Sequence, residues 1–318
     1  MSWETWHFAF SVTVPNLLML LLGVLLRRLR LIDDTFCDSA TRLVFSLSLP
    51  CLLFFSIATH RLSPGVHLTF ALYGGLATVV SFLLLEAVAP RLVKNPRERG
   101  IFVQGGFRAN TAIVGLAYCA NAYGNKGVAI ASLYMAVTVI LFNVLSVITL
   151  TRTLSSDHRP GYETRKILHG VVTNPLVAGI VSGLVYSATG LPVPPVLYAT
   201  GNFLSGLALP LALLCAGASI DWRAMLSASG VAGYASVARL IVIPGLIILG
   251  GWGLGFQGIT LGVLFLLTST PTAAASYVMT RAMGGNATLA ANIIALTTAG
   301  SFFTTALGLY FLRTGGLI

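Results

Sequence analysis

The chain has 318 residues, of which 56% are hydrophobic and only 9% charged, and it carries a formal net charge of +10. So few charges cannot cover a water-facing surface of this size, which excludes a soluble globular protein and indicates a polytopic membrane protein. The basic excess sits in short clusters between apolar runs, as in cytoplasmic loops, so nucleic acid is excluded as a partner and the lipid bilayer is the expected one.

The N-terminus, MSWETWHFAF, has no Lys or Arg ahead of its apolar run and so lacks the basic leader of a cleaved signal peptide; Trp3 and Trp6 suit an interfacial anchor. From there, apolar segments are expected near 8–26, 38–58, 67–89, 100–122, 127–150, 167–190, 195–218, 230–252, 258–280 and 288–312, most of them long enough to span a bilayer as helices. The expected fold is therefore an all-α membrane protein of ten transmembrane helices. Its most polar connection divides the chain almost in half, with one five-helix unit over 1–151, a connecting loop over 152–166 and a second unit over 167–318.

Orientation follows from the basic residues. Fourteen Lys and Arg fall in the loops after odd-numbered segments, among them Arg27, Arg91, Arg152, Arg223 and Arg281, against three on the opposite face, Arg61, Lys126 and Arg313. The odd loops are then cytoplasmic and both termini lie outside; a cell's cytoplasmic (inner) membrane is the expected location. Two basic residues, Arg108 and Arg239, fall within spans.

Arg108 and Asn110 stand near the middle of the apolar stretch IFVQGGFRANTAIVGLAYCANAYG at 101–124. At 1.5 Å per residue Arg108 lies roughly 12 Å beyond Gly100, deep in a hydrocarbon core of about 30 Å. A cation there costs on the order of 3 kcal/mol even on a lenient insertion scale, so it must face a cavity or a partner. Two roles fit it, anion recognition or the capping of freed carbonyls. Arg239, in YASVARLIVIP, fits either a second anion contact or a partner for a carbonyl.

The two halves resemble each other at a fixed offset. Pro15 matches Pro175, Gly23 matches Gly183 and LSLP at 47–50 matches LALP at 207–210, each 160 residues apart, while AYGN at 122–125 matches MGGN at 283–286 at an offset of 161. Five spans per unit is an odd number, so the second copy enters the membrane inverted, the pattern of a secondary transporter with its site near the midplane. In this register Asn110 falls opposite Pro271. Pro271 removes a donor and disfavours helix at Thr270, which predicts a break with freed carbonyls met by hydroxyls such as Thr268, Thr270 and Thr272. Two broken, crossing spans would direct half-helix N-termini at an anion, with the Arg108 fork suited to a carboxylate. The candidate substrate-binding residues are Arg108, Asn110, Thr111, Thr270, Pro271, Thr272 and Arg239.

Other chemistry finds little support. Cys37, Cys51, Cys119 and Cys215 lack metal-ligand spacing and read as packing residues, so neither a metal, a cofactor nor a disulfide is expected. A membrane-embedded enzyme would need converging nucleophile, acid–base or metal groups, and no HExxH, GxSxG or paired intramembrane carboxylates occur. Glu86 lies near a membrane face, so a buried carboxylate suited to proton coupling is not expected.

The stretch QGGFRANTAIVGLAYCANAYG resembles the fourth-span motif of the auxin efflux carrier family. NPLVAGIVSGLVYSATGLPVPPVL with LALPLALLCAGASI is similar to that family's sixth and seventh spans, and TPTAAASYVM to its ninth. The resemblance implies a ten-span inverted-repeat fold related to bile acid sodium symporters. It further implies a dimerising scaffold from spans one, two, six and seven, a moving transport domain from spans three to five and eight to ten, and crossed fourth and ninth spans. The crossover residues carry over onto Asn110 and Pro271. The expected function is secondary or facilitative transport of small organic anions, malonate-like or auxin-like carboxylates, by an elevator-type mechanism with uniport or exchange; a sodium-coupled symporter and an anion channel are the alternatives.

Overall fold

The computed structural model describes residues 3–59, 64–154, 175–218 and 230–318. Among these all regular structure is helical, and β-type pairing is confined to an isolated antiparallel bridge between Ala109 and Thr272. Most of the loop expected over 152–166, the start of the segment expected at 167–190, and Arg61 and Arg223 lie outside the described residues.

Helix α1 (Trp3–Arg28) runs through Pro15. In the turn after it Asp33 accepts the Phe36 N–H at 2.7 Å, capping α2 (Asp34–Leu43). A π-helical turn, Val44–Ser48, leads into α3 (Leu49–Ala58). The cause is local: Pro50 cannot donate to the carbonyl four residues back, inside that turn, and the wider helix absorbs the lost bond. The same device recurs where Ala238–Val242 forms a π turn just before Pro244, between α9 (Gly230–Val237) and α10 (Ile243–Gly253).

The other elements are α4 (Pro64–Leu92), α5 (Pro96–Phe107), α6 (Leu116–Leu154), α7 (Pro175–Thr189), α8 (Pro195–Ala218), α11 (Gly258–Thr268), α12 (Ala275–Ala282) and α13 (Ala287–Thr314). Among the described residues, seven helical runs are long and apolar enough to cross a membrane, and Ala178–Thr189 and Gly258–Thr268 are apolar but shorter. One of the seven, Thr111–Leu154, has 44 residues, about twice what a bilayer needs. Gly124 divides it, with φ 57 and ψ −150, a conformation that suits a residue without Cβ.

Two packing groups result. In the first, α1 lies on α8 and α3 on α7, with α2 and α3 also against α8; in the second, α4, α5 and α6 gather with α9 to α13. They meet mainly where α1 touches α6 and α13 and where α3 touches α6. Small residues let backbones approach in the first group: a Cβ at Gly183 would stand 3.0 Å from the Phe54 carbonyl, and one at Gly23 would run into the Leu214 carbonyl. These two contacts exchange under the offset of the repeat, since 160 added to Gly23 gives Gly183 and 160 taken from Leu214 gives Phe54.

Candidate functional site

Helix α5 stops at Phe107 because Arg108 turns extended (φ −80, ψ 95), and helical geometry resumes in a π turn at Thr111–Gly115. On the other side α11 stops at Thr268 and α12 starts at Ala275, with Pro271 between them. The two non-helical segments cross and pair. Asn110 N–H donates to the Pro271 carbonyl at 2.9 Å and Ala273 N–H to the Arg108 carbonyl at 3.0 Å. Side chains take up further groups: Thr272 Oγ1 donates to the Gly105 carbonyl at 2.6 Å, Thr272 N–H donates to Thr297 Oγ1 at 3.1 Å, and Thr270 Oγ1 donates to the Leu267 carbonyl at 2.9 Å. Non-helical backbone buried in protein is thereby satisfied, as a low-dielectric surrounding demands.

The crossing forms the floor of a cavity of ≈ 680 Å³, to which Arg108–Ile113 and Ala273–Ala275 contribute. Val139, Phe142 and Asn143 of α6 make one wall; Val44 and Phe45 of the π turn, with Ala212, Cys215 and Ala216 of α8, make the wall opposite. The cavity thus lies between the two packing groups. At its other end stand Arg27, Asp34 and Asp38, where Arg27 and Asp34 form a two-pronged ion pair of 2.5 and 2.8 Å with the Asp34 side chain 80% exposed. That end is open to the surroundings.

Of the expected site residues, Arg108, Asn110 and Thr111 line this cavity. Thr270, Pro271 and Thr272 lie behind them, buried in the second crossing segment. Arg239 lies apart: its Nη1 donates to the Phe107 carbonyl at 2.9 Å and its Nη2 to the Thr268 carbonyl.

Arg108 is 6% exposed, and its guanidinium meets neutral groups. Nη2 donates to Asn143 Oδ1 at 2.7 Å and Nη1 points at the Met279 sulfur. Asn143 is itself held, its Nδ2 donating to the Val139 carbonyl at 3.0 Å. Among the described residues the ion pairs are Arg27–Asp34 and Arg152–Glu86, so no carboxylate there neutralises Arg108. Both helix starts on the cavity, at Thr111 and at Ala275, present their first N–H groups and the positive end of a helix dipole. A full charge and two partial ones of the same sign therefore converge on one space.

Sequence reasoning missed Asn143, Met279 and Gln104, whose side-chain amide reaches the same sulfur at 3.7 Å. A lone amide in the apolar run LFNVLS was the available signal for Asn143. Glu86 sits elsewhere, joined to Arg152 and to the Thr149 hydroxyl. Cys37 and Cys215, both free, share a small buried cluster on the cavity wall.

A helical membrane protein with a deep cavity between two packing groups and a buried arginine at its floor has the form of a transport protein. The family model described as "Membrane transport protein" matches residues 8–309, and the chain belongs to that family, the one whose members include the auxin efflux carriers. An uncharacterized transporter of Methanothermobacter thermautotrophicus is 24% identical over 262 residues, which cover 81% of this chain and 83% of that protein.

Proposed function

We propose that the protein carries small organic anions across the membrane, binding the carboxylate at Arg108 between the two half-helix N-termini. The observation that carries this reading is the Arg108 guanidinium, 6% exposed, hydrogen-bonded to a neutral amide and facing a cavity of ≈ 680 Å³, with no carboxylate among the described residues within ion-pair distance of it. A desolvated cation with neutral partners binds an anion strongly, because the anion restores the compensation that burial removed. Asn110 and Thr111 contact the substrate, while Thr270, Pro271 and Thr272 hold the crossing in place.

The architecture in this reading is ten spans in two inverted five-helix repeats, over 1–151 and 167–318. The exchanged pair of close contacts, Gly23 with Leu214 and Gly183 with Phe54, supports it, as a two-fold relation between units requires such reciprocity. The group α1, α2, α3, α7 and α8 is the fixed scaffold, through which two copies pair, and the group α4 to α6 with α9 to α13 moves as one body. The position of the cavity between the groups, open beside Arg27 and Asp34, supports a state open to the cytoplasm of an inner-membrane carrier with both termini outside. Moving the second group along the first closes that mouth and exposes Arg108 to the far side. Uniport or anion exchange fits best, since the hydroxyls of Thr268, Thr270 and Thr272 are turned into the protein, each donating to a carbonyl.

The test is counterflow in proteoliposomes preloaded with mono- or dicarboxylates. Saturable uptake of labelled carboxylate, accelerated by internal unlabelled carboxylate, is expected. Uptake that never saturates and shows no acceleration would point to a channel instead.

A further inference from the structure

A second buried cation sits behind the crossing, and its partners are the ends of two helices. Arg239 is 1% exposed. It lies in the π turn Ala238–Val242, a local widening that re-aims a side chain relative to an ordinary helix. Its guanidinium donates to the carbonyls of Phe107 at 2.9 Å and Gly106 at 3.5 Å on one side and of Thr268 on the other. Phe107 is the last residue of α5 and Thr268 the last of α11. These carbonyls have no partner within their own helices and carry the negative ends of the two helix dipoles.

Arg239 does not line the large cavity. It borders a separate void of ≈ 10 Å³, about the room of a single water molecule and too small for an organic anion. Ala109 and Phe142 line both that void and the large cavity, so they form the wall between them.

We infer that Arg239 is a positioning residue that clasps the C-terminal ends of α5 and α11 together, and thereby sets the register in which Arg108 and the two half-helix N-termini face the cavity. Each carbonyl it holds lies directly before a crossing segment: Phe107 precedes Arg108, and Thr268 precedes the run to Pro271. The antiparallel bridge between those segments, Ala109 with Thr272, begins one or two residues beyond Phe107 and a few beyond Thr268. Without a cation the two helix ends would meet like pole to like pole. With it, negative poles are compensated on one side of the crossing and positive poles remain available on the other. A planar fork with several donors can hold two carbonyls at once, which an ammonium on a flexible stem does less well.

The inference rests on the proposed anion site, so its test needs a readout that does not depend on that site. Arg239→Lys and Arg239→Gln are compared with the unaltered protein by hydrogen exchange resolved over 105–115 and 267–276, together with carboxylate binding and thermal unfolding. Arg239→Lys is expected to stay folded, with faster exchange confined to those two stretches and anion binding weakened about ten- to a hundredfold, the scale of losing alignment in a preorganised site. The loss should be the same for a dicarboxylate and its monoamide, because the residue touches neither. Should Arg239→Gln fail to fold, the Lys variant carries the test alone. Unchanged exchange at the crossing in the folded Lys variant would overturn the inference, as would a loss confined to dianions, which marks direct contact. Failure of the anion site itself would appear separately, as unaltered binding in Arg108→Ala, while the exchange result still decides the role of Arg239.

Discussion

Exchanging Asn143 for Asp tests the electrostatics of the cavity with almost no change of shape. The side-chain oxygen that now accepts from Arg108 Nη2 at 2.7 Å would belong to a carboxylate, and the Asn143 amide that donates to the Val139 carbonyl at 3.0 Å would be lost. Two unit charges about 4 Å apart attract by about 4 kcal/mol at an effective dielectric constant of about 20. A transported anion must now compete with that internal partner. Part of the gain is offset, because the new carboxylate is itself desolvated and faces the Val139 carbonyl without a donor. The net expectation is anion binding weaker by about 10²- to 10³-fold, or roughly 3–4 kcal/mol. The assay is equilibrium binding of labelled carboxylate to the purified variant, with thermal unfolding alongside to show that it is folded. Asn143→Ser, which removes an acceptor without adding charge, should lose far less. A folded Asp variant that binds carboxylate as the unaltered protein does between about pH 5 and pH 9 would refute the reasoning.

Three further outcomes are expected. Uptake into proteoliposomes should persist when sodium is replaced by choline at fixed pH and should respond to counter-anion; uptake restored only by added sodium would favour a symporter. Glu86→Gln should retain transport, because Glu86 is engaged by Arg152 and Thr149 away from the cavity; abolished uptake in a folded variant would instead mark a proton relay. Gly179→Ala should destabilise by about 1–3 kcal/mol through overpacking, since the added Cβ would lie 2.6 Å from the Pro50 carbonyl, whereas Gly206→Ala, with open space around it, serves as the control in thermal unfolding.

How much of this could be read from the chain alone depends on the kind of signal. A cation in an apolar run cannot be hidden, so Arg108 was legible at once, and with it the stretch that forms the cavity floor. Pro271 was equally legible, because a missing donor has a local consequence wherever it occurs. The partners of Arg108 were not: Asn143 lies 35 residues away on another helix and Met279 lies 171 away, and nothing in their spacing says which faces meet. Arg239 shows the limit in another form. Its depth follows from its place in an apolar run, but its direction is set by the π turn at Ala238–Val242, which shifts the helical phase around it. Helix length misleads as well. Interruption leaves α11 with 11 residues, and the absence of a long loop around Gly124 runs two stretches into one of 44, so seven long apolar runs stand where ten segments were read.

The central claim is that Arg108 is the anion's partner, and equilibrium binding of carboxylates to the Arg108→Ala variant tests it most directly. Truncating one member of a desolvated charge pair costs about 2–5 kcal/mol, so affinity should fall roughly 30- to several thousandfold. Arg108→Lys should recover only part of that loss, because a point charge does not reproduce the planar fork. Unchanged carboxylate affinity in a folded Arg108→Ala protein would contradict the account and leave Arg108 as a structural cation.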